Sequence, residues 1–137
     1  MDQSKLIIIR AARDMARSDG RLHKNERKIL RLIATAEQLG PEERLALGST
    51  SPPVPLDQLL TILPAASDRL RLFELNVLVG LADGVESPEE MDRLRSIRGV
   101  LGLSETEVAG ALERARERFF ELTRIWENEP EDDAPLG

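Results

Sequence analysis

Cysteine and tyrosine are missing from this 137-residue chain, and aromatic residues are scarce, with three Phe and one Trp. Without cysteine the protein has no disulfide, no thiolate metal site and no cysteine nucleophile. The single histidine, His23, has no serine placed by the sequence to act as its nucleophile, so we expect no enzyme active site. With so few aromatics, aliphatic residues and alanine must build the core, which favours packed helices over a sheet.

Long hydrophobic runs are also missing. The apolar run at residues 6–9 is interrupted by Arg10, and no segment approaches the length of a membrane span. The first residues therefore do not resemble a signal peptide. We expect a soluble, cytoplasmic protein.

The net charge of −6 is unevenly distributed. Residues 1–31 hold nine Lys and Arg against four Asp and Glu, whereas the remainder holds ten against twenty-one. This asymmetry predicts a basic and an acidic face and argues against a nucleic-acid-binding protein. The basic face has two interpretations: a solvated surface with ion pairs, or a docking surface for an acidic partner or anionic lipid head groups. Its candidate partner-binding residues are Arg10, Arg13, Arg17, Lys24 and Lys28.

Hydrophobic spacing is helical nearly throughout the chain, and no segment alternates for long enough to predict a strand. We predict an all-α fold of about seven helices in a single domain over 1–127. The tail, 128–137, is acidic and contains two prolines, so we expect it to be disordered. The predicted helices cover about 3–18, 24–38, a short segment after Pro41, 56–63, 68–82, 88–101 and 104–126.

An internal repeat organises the chain. When the sequence is shifted by 64 residues, 15–43 aligns with 79–107 without a gap, and eight of 29 positions are identical. The predicted halves are about 3–48 and 67–122, joined by a Pro-rich linker at 49–66. The identical pairs are Asp19/Asp83, Gly20/Gly84, Glu26/Glu90, Leu30/Leu94, Arg31/Arg95, Ile33/Ile97, Leu39/Leu103 and Glu43/Glu107.

Each half carries the motif D-G-x5-E, which has a structural and a metal-binding interpretation. An EF-hand loop is excluded, because the loop positions that require the first two carboxylates are not acidic here. Glu26 and Glu90 are explained by helix capping alone, since each lies three residues beyond a predicted helix cap. Asp19 and Asp83 lie at the negative end of a helix, where a carboxylate costs on the order of 0.3–1 kcal/mol. Hydrogen bonds in the turn or a bound cation would offset this cost.

The two segments SDGRLHKNERKIL and ADGVESPEEMDRL, each followed by an LG or GLS step, resemble the paired signatures of TerB-like domains. The resemblance covers about residues 3–122. It implies a seven-helix, internally duplicated bundle of the kind found in tellurite-resistance proteins and before the J-domain of a membrane-anchored co-chaperone. It also implies a divalent-cation site, for Ca²⁺ or Mg²⁺, at Asp19, Glu26, Asp83 and Glu90, with further oxygen ligands from Asn25, Glu86 and Glu89.

The two predicted corners differ in charge. Arg17, Arg21, Lys24 and Arg27 flank the acids of the first corner and would themselves neutralise them, so Asp83 and Glu90 are the better candidates. The function implied by the resemblance is that of a non-enzymatic, metal-binding or scaffold module. It would act with protein partners in a stress-response complex, in the cytoplasm or at the inner face of the membrane.

The alternative is an interaction domain without metal. It would dock through the basic face, or through apolar residues at the end of the last predicted helix. We expect Phe119, Leu122 and Trp126 to close the core, with a second interpretation in which Phe120 and Trp126 contact a partner or a second copy.

Overall fold

The computed structural model describes residues 3–17, 24–48, 53–83 and 88–126. Within these ranges it contains helices and no strand, so the predicted all-α class is confirmed. The seven α-helices are α1 (Gln3–Ala16), α2 (Lys24–Ala36), α3 (Pro41–Gly48), α4 (Leu59–Ile62), α5 (Ala66–Asp83), α6 (Pro88–Leu101) and α7 (Glu105–Trp126), with one 3-10 turn at Leu56–Gln58. No helix in the described part of the chain is long and apolar enough to cross a membrane.

The predicted repeat matches the helix boundaries. α2 and α6 begin at Lys24 and Pro88, and α3 and α7 begin at Pro41 and Glu105, so both pairs are separated by the 64 residues found in the sequence. α7 then continues far beyond the length of α3. The two halves therefore share the starts of their helices and differ most at their ends.

The central element is α5. It packs against α1, α2, α6 and α7, and its side chains Leu72, Leu78 and Val79 are completely buried. These residues lie on several sides of the helix, because neighbouring helices cover it from different directions. A polar residue, Asn76, is also fully buried there; its Nδ2 donates to the Leu72 carbonyl at 2.8 Å.

The turns after α2 and α6 have the same geometry. The N–H of Leu39 donates to the Ala34 carbonyl at 3.0 Å, and the N–H of Leu103 donates to the Arg98 carbonyl at 3.3 Å. A bond of this kind spans six residues. It closes a helix when the residue just before the N–H donor adopts a left-handed conformation. Because of this closure α2 ends two residues before the predicted position 38.

A capping box forms the start of α7. The N–H of Ser104 donates to Glu107 Oε1 at 2.9 Å, and the N–H of Glu107 donates to Ser104 Oγ at 3.1 Å. The first half repeats one of these bonds, since the N–H of Gly40 donates to Glu43 Oε1 at 3.0 Å. The aligned pair Glu43/Glu107 therefore has a shared structural role.

α5 begins two residues before its predicted start at position 68. α5 begins at Ala66, and the N–H of Arg69 donates to the Ala65 carbonyl at 3.2 Å. The Arg69 side chain donates to the carbonyls of residues 63 and 64, which holds the chain as it leaves α4. These bonds tie residues 63 and 64 to the first turn of α5.

Candidate functional site

Glu90 is the one proposed metal ligand whose side chain is both described and buried. It lies in the first turn of α6 with 3% of its surface exposed, whereas its neighbour Glu89 is exposed. A buried carboxylate must be compensated by hydrogen bonds, by an opposite charge or by a metal, because burial removes its hydration. Glu90 does take part in at least one further polar interaction.

Close helix packing brings Glu90 against the end of α5. A Cβ atom added at Gly80 would lie 3.4 Å from Glu90 Oε2 and 3.1 Å from Met15 Cε. The absence of a side chain at Gly80 therefore leaves room for the carboxylate between α5 and α6, just before the second D-G corner. Carboxylate oxygen is a ligand that Ca²⁺ and Mg²⁺ prefer, so the donor chemistry of Glu90 fits such an ion.

The other members of the predicted metal set are not described in the same detail. Asp19 and Glu86 lie outside the described residues, and so do the side chains of Asn25, Glu26 and Asp83. Among the residues that the structure describes, no group of three or more His, Asp or Glu side chains could hold a metal ion. A site built on Glu90 would therefore need ligands from the D-G corner itself.

A buried charged cluster, which the sequence did not reveal, lies where α1 meets α6 and the linker. Asp14 is at its centre: its Oδ1 accepts from Arg13 Nη2 at 2.8 Å and from Arg13 Nε at 3.2 Å. Its Oδ2 accepts from the N–H of Val54 at 2.8 Å and lies 3.6 Å from Arg93 Nη2. One carboxylate thus connects two helices and the linker.

In this cluster Arg93 is the residue whose side-chain donors lack hydrogen bonds to described residues. Its Nε and Nη2 atoms are buried and have no hydrogen-bond acceptor among the residues that the structure describes. Burial lowers the pKa of its guanidinium, while the charge of Asp14 raises it and the charge of Arg13 lowers it further. Arg13 and Arg93 share this one carboxylate, so loss of Asp14 would leave both cations without this partner.

The predicted basic face is only partly at the surface. Arg13 is 1% exposed and Lys28 is 9% exposed, so neither is available for docking in this conformation. Arg10 and Arg17 are partly buried, and the side chain of Lys24 lies outside the described part. Arg13 departs from the expectation because its guanidinium turns inward to Asp14, its neighbour in sequence, which a helical face pattern does not reveal.

The end of α7 has an apolar side on the core and another at the surface. Leu122 is buried and Phe119 packs against the core, in agreement with the predicted core closure. Phe120 is 67% exposed and Ile125 is 50% exposed. The side chain of Trp126, predicted both as a core residue and as a contact residue, lies outside the described part.

A cationic groove lies between α2 and α3, which the sequence did not predict as a unit. Its volume is ≈ 190 Å³, and its lining residues are Lys28, Arg31, Leu32, Thr35 and Arg44. Arg44 Nε donates to the Leu39 carbonyl at 3.2 Å, so the turn after α2 holds the Arg44 side chain in place. Helical spacing relates the four residues on α2, and Arg44 of α3 completes the lining.

Comparison of the chain with protein-family models, with characterised proteins and with solved structures finds no match.

Proposed function

We propose that this protein is a non-enzymatic accessory protein of the TerB-like type, whose second D-G corner binds a divalent cation through Asp83 and Glu90. The observation that carries the proposal is the burial of Glu90, an acidic side chain held between α5 and α6 beside this corner. An acidic side chain that only caps a helix can do so while it is exposed to solvent, because capping requires hydrogen bonds and not burial. The capping acids Glu43 and Glu107 are both more accessible than Glu90.

The duplication supports the comparison with TerB-like domains. Both halves carry D-G-x5-E, and the helices that follow begin at equivalent positions, Lys24 and Pro88. In that family the two motifs are associated with divalent cations and with complexes that respond to tellurite and other chemical stress. By this likeness, we propose that the protein acts with protein partners in the cytoplasm or at the inner face of the membrane.

The bound cation would supply positive charge to oppose the two carboxylates at the corner. Asp83 is the last residue of α5 and Glu90 is in the first turn of α6, so a shared cation would tie these helices together. Such a tie would make the relative position of α5 and α6 depend on the ion. A partner that contacts both helices would then distinguish the two states.

The test is thermal unfolding of chelator-treated protein with and without millimolar Ca²⁺, Mg²⁺ or Mn²⁺. A ligand at about one hundred times its Kd stabilises the native state by about 2.7 kcal/mol, which gives a clear rise in Tm. We expect this rise in the wild type and in Asp92→Asn, a control at an exposed acid of α6. The rise is expected to disappear in Asp83→Asn and in Glu90→Gln.

The quantity compared is the cation-induced change in each variant, so a variant with a lower starting Tm remains informative. Equal changes in Glu90→Gln and wild type, or no change with any of the three cations, would refute metal binding at this corner. Isothermal titration calorimetry of the wild type with the cation that raises Tm provides the stoichiometry, expected to be one ion per chain.

A metal-free interaction domain is the second candidate, and the exposure of Phe120 on α7 favours it. A large aromatic side chain at the surface is typical of contact sites between proteins. This candidate predicts no response to cations, whereas association with a partner would depend on Phe120. The cation titration therefore separates the two functions.

A further inference from the structure

Gly80 and Ala16 occupy equivalent positions beside the two D-G corners and differ by one methyl group. The repeat that aligns 15–43 with 79–107 pairs them, and each lies three residues before the aspartate of its corner. Both belong to the last turn of a helix, Ala16 in α1 and Gly80 in α5. Ala16 is 1% exposed, so its Cβ lies in the interior. The two halves therefore differ at a buried position next to the predicted cation site.

The space beside Gly80 is taken up by two buried side chains. A Cβ atom at this position would lie 3.4 Å from Glu90 Oε2 and 3.1 Å from Met15 Cε. Both neighbours are buried, so neither has much room to withdraw. A side chain larger than that of alanine would therefore displace at least one of them. The further polar interaction of Glu90 does not affect this geometry, which depends only on where its carboxylate lies.

A glycine within a helix is unfavourable, because it loses more conformational freedom on folding than alanine does. Close approach of another group is one reason for a helix to contain glycine, and the contacts at Gly80 provide that reason. Gly99 of α6 differs, since a Cβ atom there would meet nothing within 4 Å. Gly80 is thus a glycine whose missing side chain matters to its neighbours, and Gly99 is its natural control.

We propose that Gly80 is a positioning residue that makes the second corner the only cation site of the chain. Because Gly80 has no side chain, the Glu90 carboxylate lies inside, against the last turn of α5. At the first corner the Cβ atom of Ala16 fills the equivalent space, so Glu26 does not take up the same inward position. Gly80 does not contact the ion and acts through Glu90. This inference rests on the proposed function, since it specifies which corner holds the cation and why.

The experiment is calorimetric titration of the chelator-treated full chain with Ca²⁺, Mg²⁺ and Mn²⁺ separately, for wild type, Gly80→Ala and Gly80→Val. The Kd should rise with the size of the side chain. Gly80→Val should weaken binding by about tenfold, the loss typical when a residue that orients a metal ligand is changed. Gly80→Ala should weaken it less, because Met15 Cε is the end of a flexible side chain and can move. If Gly80→Val does not fold, Gly80→Ala still tests the inference.

Thermal unfolding without cation separates positioning from a structural role. The Tm of Gly80→Ala should be no lower than that of wild type, because alanine favours the helix, although its Kd is higher. A structural role alone predicts the reverse, a lower Tm with an unchanged Kd, and that result would overturn the inference. The matched controls are Gly99→Ala and Ala16→Gly, which should both leave the Kd unchanged. Equal weakening in Gly99→Ala would also overturn it.

A second arm tests the contact between Gly80 and Glu90 without any cation. The Tm values of Gly80→Ala, Glu90→Ala and the double variant form a double-mutant cycle, and we expect the two changes not to be additive because the residues are in contact. Additive changes would overturn the positioning of Glu90 by Gly80, whether or not a cation binds. Absence of any cation response in wild type would instead refute the proposed function, and with it the assignment of the ion to this corner.

Discussion

Gln38 and Gly102 occupy equivalent positions in the two halves of the protein and adopt the same left-handed backbone conformation, with φ of 53° and 65°. Each lies just beyond a helix, and the residue after each closes that helix through a bond to a carbonyl five residues earlier. A glycine adopts this conformation freely, whereas a residue with a Cβ atom does so at a cost. The second half therefore has the residue that suits the turn, and the first half tolerates one that does not.

Because the two positions are equivalent, a glycine placed at 38 and a residue with a Cβ atom placed at 102 should have opposite effects on stability. We expect Gln38→Gly to stabilise the protein by about 0.5–1 kcal/mol and Gly102→Ala to destabilise it by about 1 kcal/mol. A Cβ at Gly102 would meet no atom within 4 Å, so the second effect would come from the backbone alone. Urea denaturation with unchanged m values measures both. If both substitutions changed the free energy of unfolding in the same direction, neighbouring contacts and not backbone conformation would control these turns.

Asp14 is expected to be the most sensitive polar residue of the described core. Replacement by Asn removes the charge that compensates Arg13 and Arg93, and loss of one member of a buried ion pair costs about 3–5 kcal/mol. The matched control is Asp92→Asn, whose pair with Arg95 is exposed and contributes about 0.2–1 kcal/mol. Chemical denaturation measures the difference.

A second measurement on Asp14→Asn tests whether the Asp14 carboxylate holds the linker in place through Val54. The amide of Val54, which donates to Asp14 Oδ2, should exchange with solvent faster in Asp14→Asn. Unchanged protection of Val54 would mean that the linker is held by its apolar contacts instead.

Stability should fall in mildly acidic solution partly because of two helix caps. The Gly40 N–H lowers the pKa of Glu43, and the Ser104 N–H lowers the pKa of Glu107, each below the ordinary value of 4.5. Because the unfolded chain binds these protons first, the contribution is complete above pH 4.5 and is lost as the pH falls towards the lower folded-state values.

The double variant Glu43→Gln/Glu107→Gln tests this dependence, since glutamine keeps an oxygen acceptor for each cap but does not titrate. Its Tm should fall less steeply than that of wild type over the range below pH 4.5. Glu113→Gln, at an exposed position in the middle of α7, serves as the comparison. Parallel profiles for wild type and the double variant would exclude the caps as a source of the acid response.

Two adjacent phenylalanines on α7 should respond differently to truncation. Phe119 packs against the core, so Phe119→Ala should cost about 2 kcal/mol, less than a fully buried ring. Phe120 is 67% exposed, so Phe120→Ala should change stability by less than about 0.5 kcal/mol. Thermal unfolding of both variants is the measurement. A large loss for Phe120→Ala would show that this side chain is covered in solution, for example by a second copy.

The all-α class, the helix order and the duplication were predictable because they depend on local patterns. Apolar spacing, Pro41 and the Ser104–Glu107 pair each act within one or two turns of a helix, so they are present in the sequence itself. The start of α5 was predicted incorrectly because Ser67 and Asp68 offer good capping chemistry. The bonds that determine the start come from Ala65 and from the Arg69 side chain.

The candidate sites were predictable only in part. Glu90 was identified from the repeated D-G-x5-E motif, but its burial depends on how closely α6 approaches Gly80 of α5. The basic face was predicted from the uneven distribution of charge along the chain, which treats every charged side chain as pointing outward. Arg13 does not follow this pattern, since Asp14 provides an ion pair inside the protein.

The sequence by itself determined what short-range physics controls: the helical class, the two equivalent halves, the caps, and the acids that flank each D-G turn. Only the tertiary structure determined which charged side chains lie close to one another. Asp14 meets Val54 across 40 positions of the chain, and Arg93 of α6 lies 3.6 Å from the same carboxylate. Burial and charge neutralisation depend on these contacts between distant segments, so no pattern along the chain could assign them.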